Sequence, residues 1–203
     1  SIGGKDSMSG TFNEIDVPPT LVSFAVDVAR EGDIITPELK QPGNPLVVFR
    51  IQKDAYDLPV YEQVMKLYDA VHTLIQKGVI VSAYALDGKG LAAALSKMAF
   101  GNKLGVAVEE SFVPETLFTP GFGDLVAEVA ADKLQLLKEV MEQAGEWQVV
   151  GRVKKSPRFV CGDMELDMEE ALTAWRSPLE KVFPTRATQD TGILTTGLYN
   201  AKD

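Results

Sequence analysis

The irregular order of strand-length and helix-length apolar segments is what most limits the folds open to this chain. Segment 45–51 (PLVVFRI) is a short, unbroken apolar run, the pattern of a strand covered on both faces. After it, Val60, Val64, Leu67, Val71, Leu74 and Ile75 recur at helical spacing. Pro59 suits a first helical position, Gly78 a C-terminal stop, and Glu62 with Lys66 a favourable i,i+4 pair. Segment 79–84 (VIVSAY) reads as a strand, 91–100 (LAAALSKMAF) as a small-residue helix ended by Gly101 and Asn102, and 104–108 as a short strand. Segment 124–129 alternates like a strand, 131–144 carries Leu134, Leu137, Val140 and Met141 on one helical face, and 147–153 is again a strand. A hairpin at 159–166 turning at Gly162-Asp163, and a helix at 168–176 capped by Asp167 with Glu170, complete the series. With a further strand at 21–29 the order is β β α β α β β α β β α. It lacks the strict alternation of a doubly wound parallel sheet and predicts a mixed sheet packed by helices, without internal repeat.

Residues 1–16, rich in Gly, Ser and Asp, read as loop, punctuated by Val17-Pro18-Pro19, and 184–203 read as a linker or tail. The chain opens on Ser-Ile-Gly-Gly without an initiator Met and reads as a piece of a longer polypeptide. Its 203 residues suffice for one substantial core. A net charge of −9 argues against sequence-independent nucleic-acid binding. No apolar run approaches the roughly 20 residues of a membrane span, and no signal segment opens the chain. Cys161 is the single cysteine, which excludes an internal disulfide and suits a reducing, cytoplasmic compartment.

Two glycine-rich stretches are candidate binding loops. Gly3-Gly4-Lys5-Asp6-Ser7-Met8-Ser9-Gly10 allows close backbone approach, with Lys5 and Ser7 as phosphate partners. It lacks the Lys-Ser/Thr of a Walker A loop, and from the residues alone a flexible turn is the favoured reading. Asp87-Gly88-Lys89-Gly90 sits between a strand and a helix, where an anion is favoured. Asp87 there either ligates a metal or caps the helix. His72 lies mid-helix with no cluster around it to form a metal site or a catalytic triad. Cys161 follows an apolar strand as a small buried residue. Trp147 and Trp175 read as core or domain-contact anchors. Asp163, Glu165, Asp167, Glu169 and Glu170 fit a solvated hairpin and helix start.

Gly3-Gly4-Lys5-Asp6-Ser7-Met8-Ser9, followed by Pro18-Pro19-Thr20-Leu21-Val22, resembles the GGKDSMS signature of large, single-chain phosphoribosylformylglycinamidine (FGAM) synthases. Tyr84 to Val106 resembles that family's strand, Gly-Gly-Leu turn and alanine-rich helix leading to Met-Ala-Phe-Gly-Asn. Ala174-Trp175 to Phe183-Pro184 resembles the stretch before the glutaminase domain. The resemblance implies an α+β, three-layer α/β/α fold with a mixed sheet, like the C-terminal lobe of aminoimidazole ribonucleotide synthetase. It divides the chain into a glycine loop of the preceding lobe (1–16), the lobe itself (17–176) and a linker toward the glutaminase domain (177–203).

The implied parent is a cytoplasmic ligase that uses ATP, Mg and glutamine to make the amidine, so the fragment alone is expected to be inactive and to bind no cofactor tightly. Implied partners are the other synthetase lobes and the glutaminase domain of the same chain, and a small-molecule substrate. Neither nucleic acid nor membrane is among them, and self-association of the cut lobe is expected through uncovered surface. Gly3, Gly4, Lys5, Ser7 and Ser9 are the implied substrate or phosphate residues, and Asp87, Gly88 and Gly90 the nucleotide residues. No catalytic or metal-ligating residue is assigned. Relatives carry His-Asp-Arg-Ser-Asp-Gly-Gly-Leu where this chain has Tyr84-Ala85-Leu86-Asp87-Gly88-Lys89-Gly90-Leu91. Ala85 replaces an expected metal-binding Asp and Gly88 a second acid, which implies a weakened or lost auxiliary nucleotide site. The alternative is an interdomain packing module with a vestigial nucleotide site. A kinase-like member of the same superfamily is disfavoured by the GGKDSMS match.

Overall fold

The computed structural model describes residues 2–7, 10–112, 114–182 and 184. The chain divides into two compact units, Ser1–Ile34 and Ile35–Asp203.

In the smaller unit the expected glycine loop is largely extended. Strand β1 (Gly3–Ser7) pairs antiparallel with β4 (Thr20–Phe24), in register from Gly3↔Phe24 to Ser7↔Thr20. Between them β2 (Gly10–Phe12) and β3 (Ile15–Val17) form a hairpin whose turn residue Asn13 takes a φ of 55°, a left-handed conformation that Asn tolerates. Composition hid these strands, because Gly, Ser and Asp have low strand propensity and only the paired backbone holds them. The strand expected at 21–29 ends at Phe24, and it pairs with the glycine segment instead of joining the main sheet.

The larger unit is a seven-stranded mixed sheet between two helical layers. Its strands are β5 (Pro45–Arg50), β6 (Ile80–Ala85), β7 (Gly105–Val108), β8 (Leu125–Val129), β9 (Glu146–Lys154), β10 (Arg158–Cys161) and β11 (Met164–Asp167). They lie in the order β11-β10-β7-β9-β5-β8-β6. β10 runs parallel to β7, and the other neighbours are antiparallel. The helices are α1 (Tyr61–Gln76), α2 (Gly90–Asn102), α3 (Pro114–Leu117), α4 (Leu134–Met141) and α5 (Met168–Glu180).

Side chains alternate across a strand, and β5 uses both sides. Leu46 and Val48 pack with Leu91, Leu95 and Met98 of α2. Val47 and Phe49 pack with Leu67 and Leu74 of α1 and Leu137 of α4. This accounts for the unbroken apolar run in the sequence. Burying each such side chain stabilises the fold by roughly 1.5–3 kcal/mol. Among the described residues no helix is long and apolar enough to cross a membrane.

Three local expectations change. Pro59 lies outside α1, in an isolated bridge to Lys53, and the helix starts at Tyr61. Glu62 and Lys66 form no ion pair with each other. Helix α5 begins as expected, with Asp167 Oδ1 accepting from the Glu169 and Glu170 amides at 2.8 and 3.3 Å. It then runs past residue 176 to Glu180 despite Pro178. Pro178 has no N–H to donate back to the preceding turn, and the Ser177 hydroxyl donates to the Ala174 carbonyl instead, at 3.0 Å.

Segment 35–44 is fastened to the sheet by one buried side chain. Glu128 on β8 is 0% exposed. Its Oε2 accepts from the Lys40 amide at 2.6 Å and the Ser82 hydroxyl at 3.3 Å. Its Oε1 accepts from the Gln41 amide at 2.9 Å and Asn44 Nδ2 at 2.7 Å. On the surface of the same segment, the Lys40 ammonium and the Thr36 hydroxyl hold the Glu38 carboxyl down at about 2 from an ordinary 4.5. A carboxylate whose folded pKa is depressed contributes stability above its unfolded pKa, and loses it as pH falls through the folded value. The urea midpoints of wild type and Glu38→Gln are therefore expected to differ slightly at neutral pH and to converge toward pH ~2. A gap that persists in acid would mean that packing, not charge, was lost.

Candidate functional site

The turn from β6 into α2 brings Asp87, Gly88 and Gly90 together. Leu86 N–H donates to the Asp124 carbonyl at 2.9 Å, and Asp124 is itself fixed by Arg50 Nη1 at 2.7 Å and the Ile51 amide at 2.9 Å. The Asp87 carbonyl accepts from the Gly90 amide at 3.2 Å and from Gly121 at 3.1 Å. Its side-chain Oδ1 accepts from the Lys89 amide at 2.7 Å, closing the turn. Asp87 Oδ2 lies 3.8 Å from Lys97 Nζ.

Gly90 has a φ of +67°, and a Cβ there would lie 2.5 Å from the Thr119 carbonyl oxygen and 2.7 Å from that of Leu117. Its glycine character is required by backbone conformation and by the chain packed against it. Gly88 has more room, with Phe122 Cζ the nearest atom at 3.4 Å.

Lys97 was not singled out by the sequence. Its Nζ donates to the Tyr84 hydroxyl at 3.1 Å and sits 5.3 Å from the centroid of that ring. The Tyr84 hydrogen bond, and then Asp87, raise the Lys97 pKa, so it is cationic at neutral pH. Two strand-to-helix neighbours thirteen residues apart carry no sequence signal for this contact.

A groove of about 620 Å³ lies against α2, lined among others by Asp87, Lys89, Lys97, Phe100, Glu170 and Trp175. It shares Lys89, Ala93, Ser96 and Leu166 with a more apolar cleft of about 410 Å³ lined by Phe118, Phe159 and Met164. Small residues at 93 and 96 leave the trough open. Phe100 and Trp175 meet with ring centroids 5.8 Å apart. Trp175 is 58% exposed, so it is a wall of the groove and not a core anchor.

The arrangement does not suit Mg²⁺. A magnesium site needs several oxygen donors. Ala85 offers none, and Asp87 is engaged by the Lys89 amide and faces the Lys97 ammonium. Among the described residues no cluster of three His, Cys, Asp or Glu side chains is placed to hold a metal. His72 is exposed on α1. Cys161 is buried, its thiol toward the Phe112 carbonyl at 3.5 Å. The acidic hairpin is met by Arg158, 3.6 Å from Glu165 and 3.7 Å from Asp167. Of the other expected binding residues, Gly3, Gly4, Lys5 and Ser7 lie along β1 in the smaller unit, and Ser9 falls outside the described residues.

Residues 43–163 match the family model for the AIR synthase related protein, C-terminal domain. Subunit PurL of phosphoribosylformylglycinamidine synthase from Thermus thermophilus is 30% identical over 119 residues, which are 56% of this chain and 16% of that protein. The chain therefore spans about a sixth of the length of this curated relative. Among solved structures, T. maritima PurL complexed with ATP covers 70% of this chain with a TM-score of 0.58 at 19% identity, and 27% of that chain is matched. The structure of PurLQS from Thermotoga maritima gives 0.59 at 18% identity, over 70% of this chain and 28% of that one. At these identities the two structures show the shared fold.

Proposed function

The chain belongs to the AIR synthase related protein C-terminal domain family, and from that premise we propose that it is one lobe of the synthetase part of an FGAM synthase. The observation that carries this reading is the 30% identity to a PurL subunit. The Gly3 to Ser9 signature supports it independently.

In this reading the parent is a cytoplasmic ligase of the large single-chain type. It converts formylglycinamide ribonucleotide to the amidine with ATP and Mg, taking ammonia from glutamine. Residues 1–16 come from the preceding lobe, and 177–203 lead toward the glutaminase domain. Lys5, Ser7 and Ser9, with Gly3 and Gly4, face substrate phosphate. The other synthetase lobes and the glutaminase domain are the partners. The lobe by itself is inactive and holds no nucleotide tightly.

The test is product formation by the full-length protein from ATP, glutamine and formylglycinamide ribonucleotide. Amidine is the expected product. A protein that binds ATP but never yields amidine removes the assignment.

One observation favours a second reading, in which this lobe packs the halves of the enzyme together and its nucleotide site is vestigial. The carboxylate of Asp87, which would hold a metal–nucleotide, closes its own turn and faces Lys97. Calorimetric titration, with ADP and Mg²⁺, of a protein that comprises the whole second synthetase half is expected to show no saturable heat. Saturable, metal-dependent binding that Asp87→Asn abolishes would overturn the vestigial site.

A further inference from the structure

The turn at Asp87 does not account for the apolar cleft beside it. Leu91, Ala94, Leu95 and Met98 of α2 are buried in the core. Ala93, Ser96, Lys97 and Phe100, on another face of the helix, line the groove. Its other wall is α5, through Glu170, Ala171, Ala174 and Trp175. The adjoining cleft of about 410 Å³ is lined by Phe118, Phe159, Met164 and Leu166. Phe118, Met164 and Leu166 are exposed there. A cleft in the range of roughly 300–1,000 Å³ suits a bound group, and contiguous exposed apolar surface marks a contact site.

The charges say what fits. Glu170 and Trp175 line only the larger groove, Lys89 lines both cavities, and the apolar side chains follow in the cleft. Lys97 is already held by Tyr84 and faces Asp87. Neither Lys89 nor Glu170 is in an ion pair among the described residues, so Lys89 is placed to meet an incoming carboxylate. The required occupant carries a cation, an anion and an aliphatic group, in that order. Residues 185–203 lie outside the described residues, and their sequence has that order, with Arg186, Asp190 and the pair Ile193-Leu194. They follow α5, the groove's own wall. An extended chain from Val182 to Ile193 reaches ~36 Å, more than the ~16 Å from Lys89 to Phe100 along α2. A short tether also holds a segment near its site at millimolar effective concentration, so contacts too weak for a separate molecule are populated.

We propose that this groove is the docking site of the chain's own residues 186–194, with Ile193 and Leu194 in the apolar cleft, Asp190 at Lys89 and Arg186 at Glu170. The docking is independent of the reaction assigned to the parent.

Disulfide trapping in the 203-residue chain tests this. Ser96→Cys with Leu194→Cys is expected to cross-link under an added mild oxidant about tenfold faster than Glu139→Cys with Leu194→Cys. Glu139 is exposed on α4, which packs on the opposite face of the sheet, and Cys161 is buried in both. Lys89→Glu added to the first pair is expected to slow trapping by about twofold to fivefold. Asp190→Lys added in turn restores it, because the exchanged charges again have opposite signs. A second measurement needs no cysteine. The chain carrying Ile193→Asp and Leu194→Asp is expected to bind 8-anilinonaphthalene-1-sulfonate saturably, where the wild type binds little. The proposal is overturned by equal trapping rates in the two pairs or by a charge exchange that recovers nothing. It is also overturned by a wild type that binds the dye as well as the Asp variant, which would leave the cleft open to another occupant.

Discussion

Glu128→Leu is expected to remove about 3–5 kcal/mol of stability, a large share of what a domain of this size possesses. Leucine suits the strand and fills similar volume, so the loss comes from the donors it abandons. The Lys40 and Gln41 amides and Asn44 Nδ2 all point at the Glu128 oxygens from 2.6 to 2.9 Å. Asn44 Nδ2, left buried without this partner, costs roughly 1–3 kcal/mol, and the part-buried Lys40 and Gln41 amides add less each. Asn44 is itself 5% exposed, and its Oδ1 accepts from the Ala131 amide at 3.1 Å, so the loss spreads into the turn after β8. Glu128→Gln keeps one oxygen but turns an NH₂ toward the remaining donors, and about 2 kcal/mol is expected. Urea unfolding measures both. Hydrogen exchange at the Lys40 and Gln41 amides should quicken in Glu128→Leu before the sheet amides do. Wild-type midpoints in both variants would show that segment 35–44 does not depend on this side chain.

Gly90→Ala is expected to cost about 2–4 kcal/mol, from a left-handed conformation that disfavours Ala and from overpacking. The added methyl would meet the Thr119 and Leu117 carbonyl oxygens at 2.5 and 2.7 Å, and backbone on one side must move. Gly88→Ala, with its nearest contact an ordinary 3.4 Å to Phe122, is expected to stay within roughly 0.5 kcal/mol of wild type. The pair separates two roles for a glycine loop. A glycine kept for ligand approach tolerates the methyl in the free protein and loses binding. A glycine kept for packing loses stability in the free protein. Thermal melts of the two variants without any ligand decide it, and equal melting temperatures would return Gly90 to the ligand-binding role.

Much of the larger unit was legible because its elements carry local signals. The β5 run announced a strand covered on both sides, and the spacing of Leu67, Val71 and Leu74 gave the buried face of α1. Asp167 with Glu170 marked the start of α5. In the smaller unit only β4 was legible, as the start of the strand expected at 21–29. Residues 1–16 have the composition of a loop, and what makes β1 a strand is a backbone ladder to Thr20–Phe24, a pairing that side chains do not advertise. The candidate site divides the same way. Asp87, Gly88 and Gly90 lie within four residues and were found together, whereas Lys97, held by Tyr84, and Trp175 meet at the groove only through packing.

Sequence by itself determined the mixed strand and helix order, the faces to be buried and the glycine turn ahead of α2, because periodicity, turn chemistry and side-chain volume act over a few residues. It also raised the question of the glycine stretches as ligand loops. Tertiary structure alone decided that Gly90 is held by the carbonyls of residues 117 and 119, that Asp87 faces a lysine, and that the opening glycines lie in a strand. Each of those rests on atoms brought together from distant parts of the chain, and steric exclusion and charge pairing depend on distance in space, which residue order does not record.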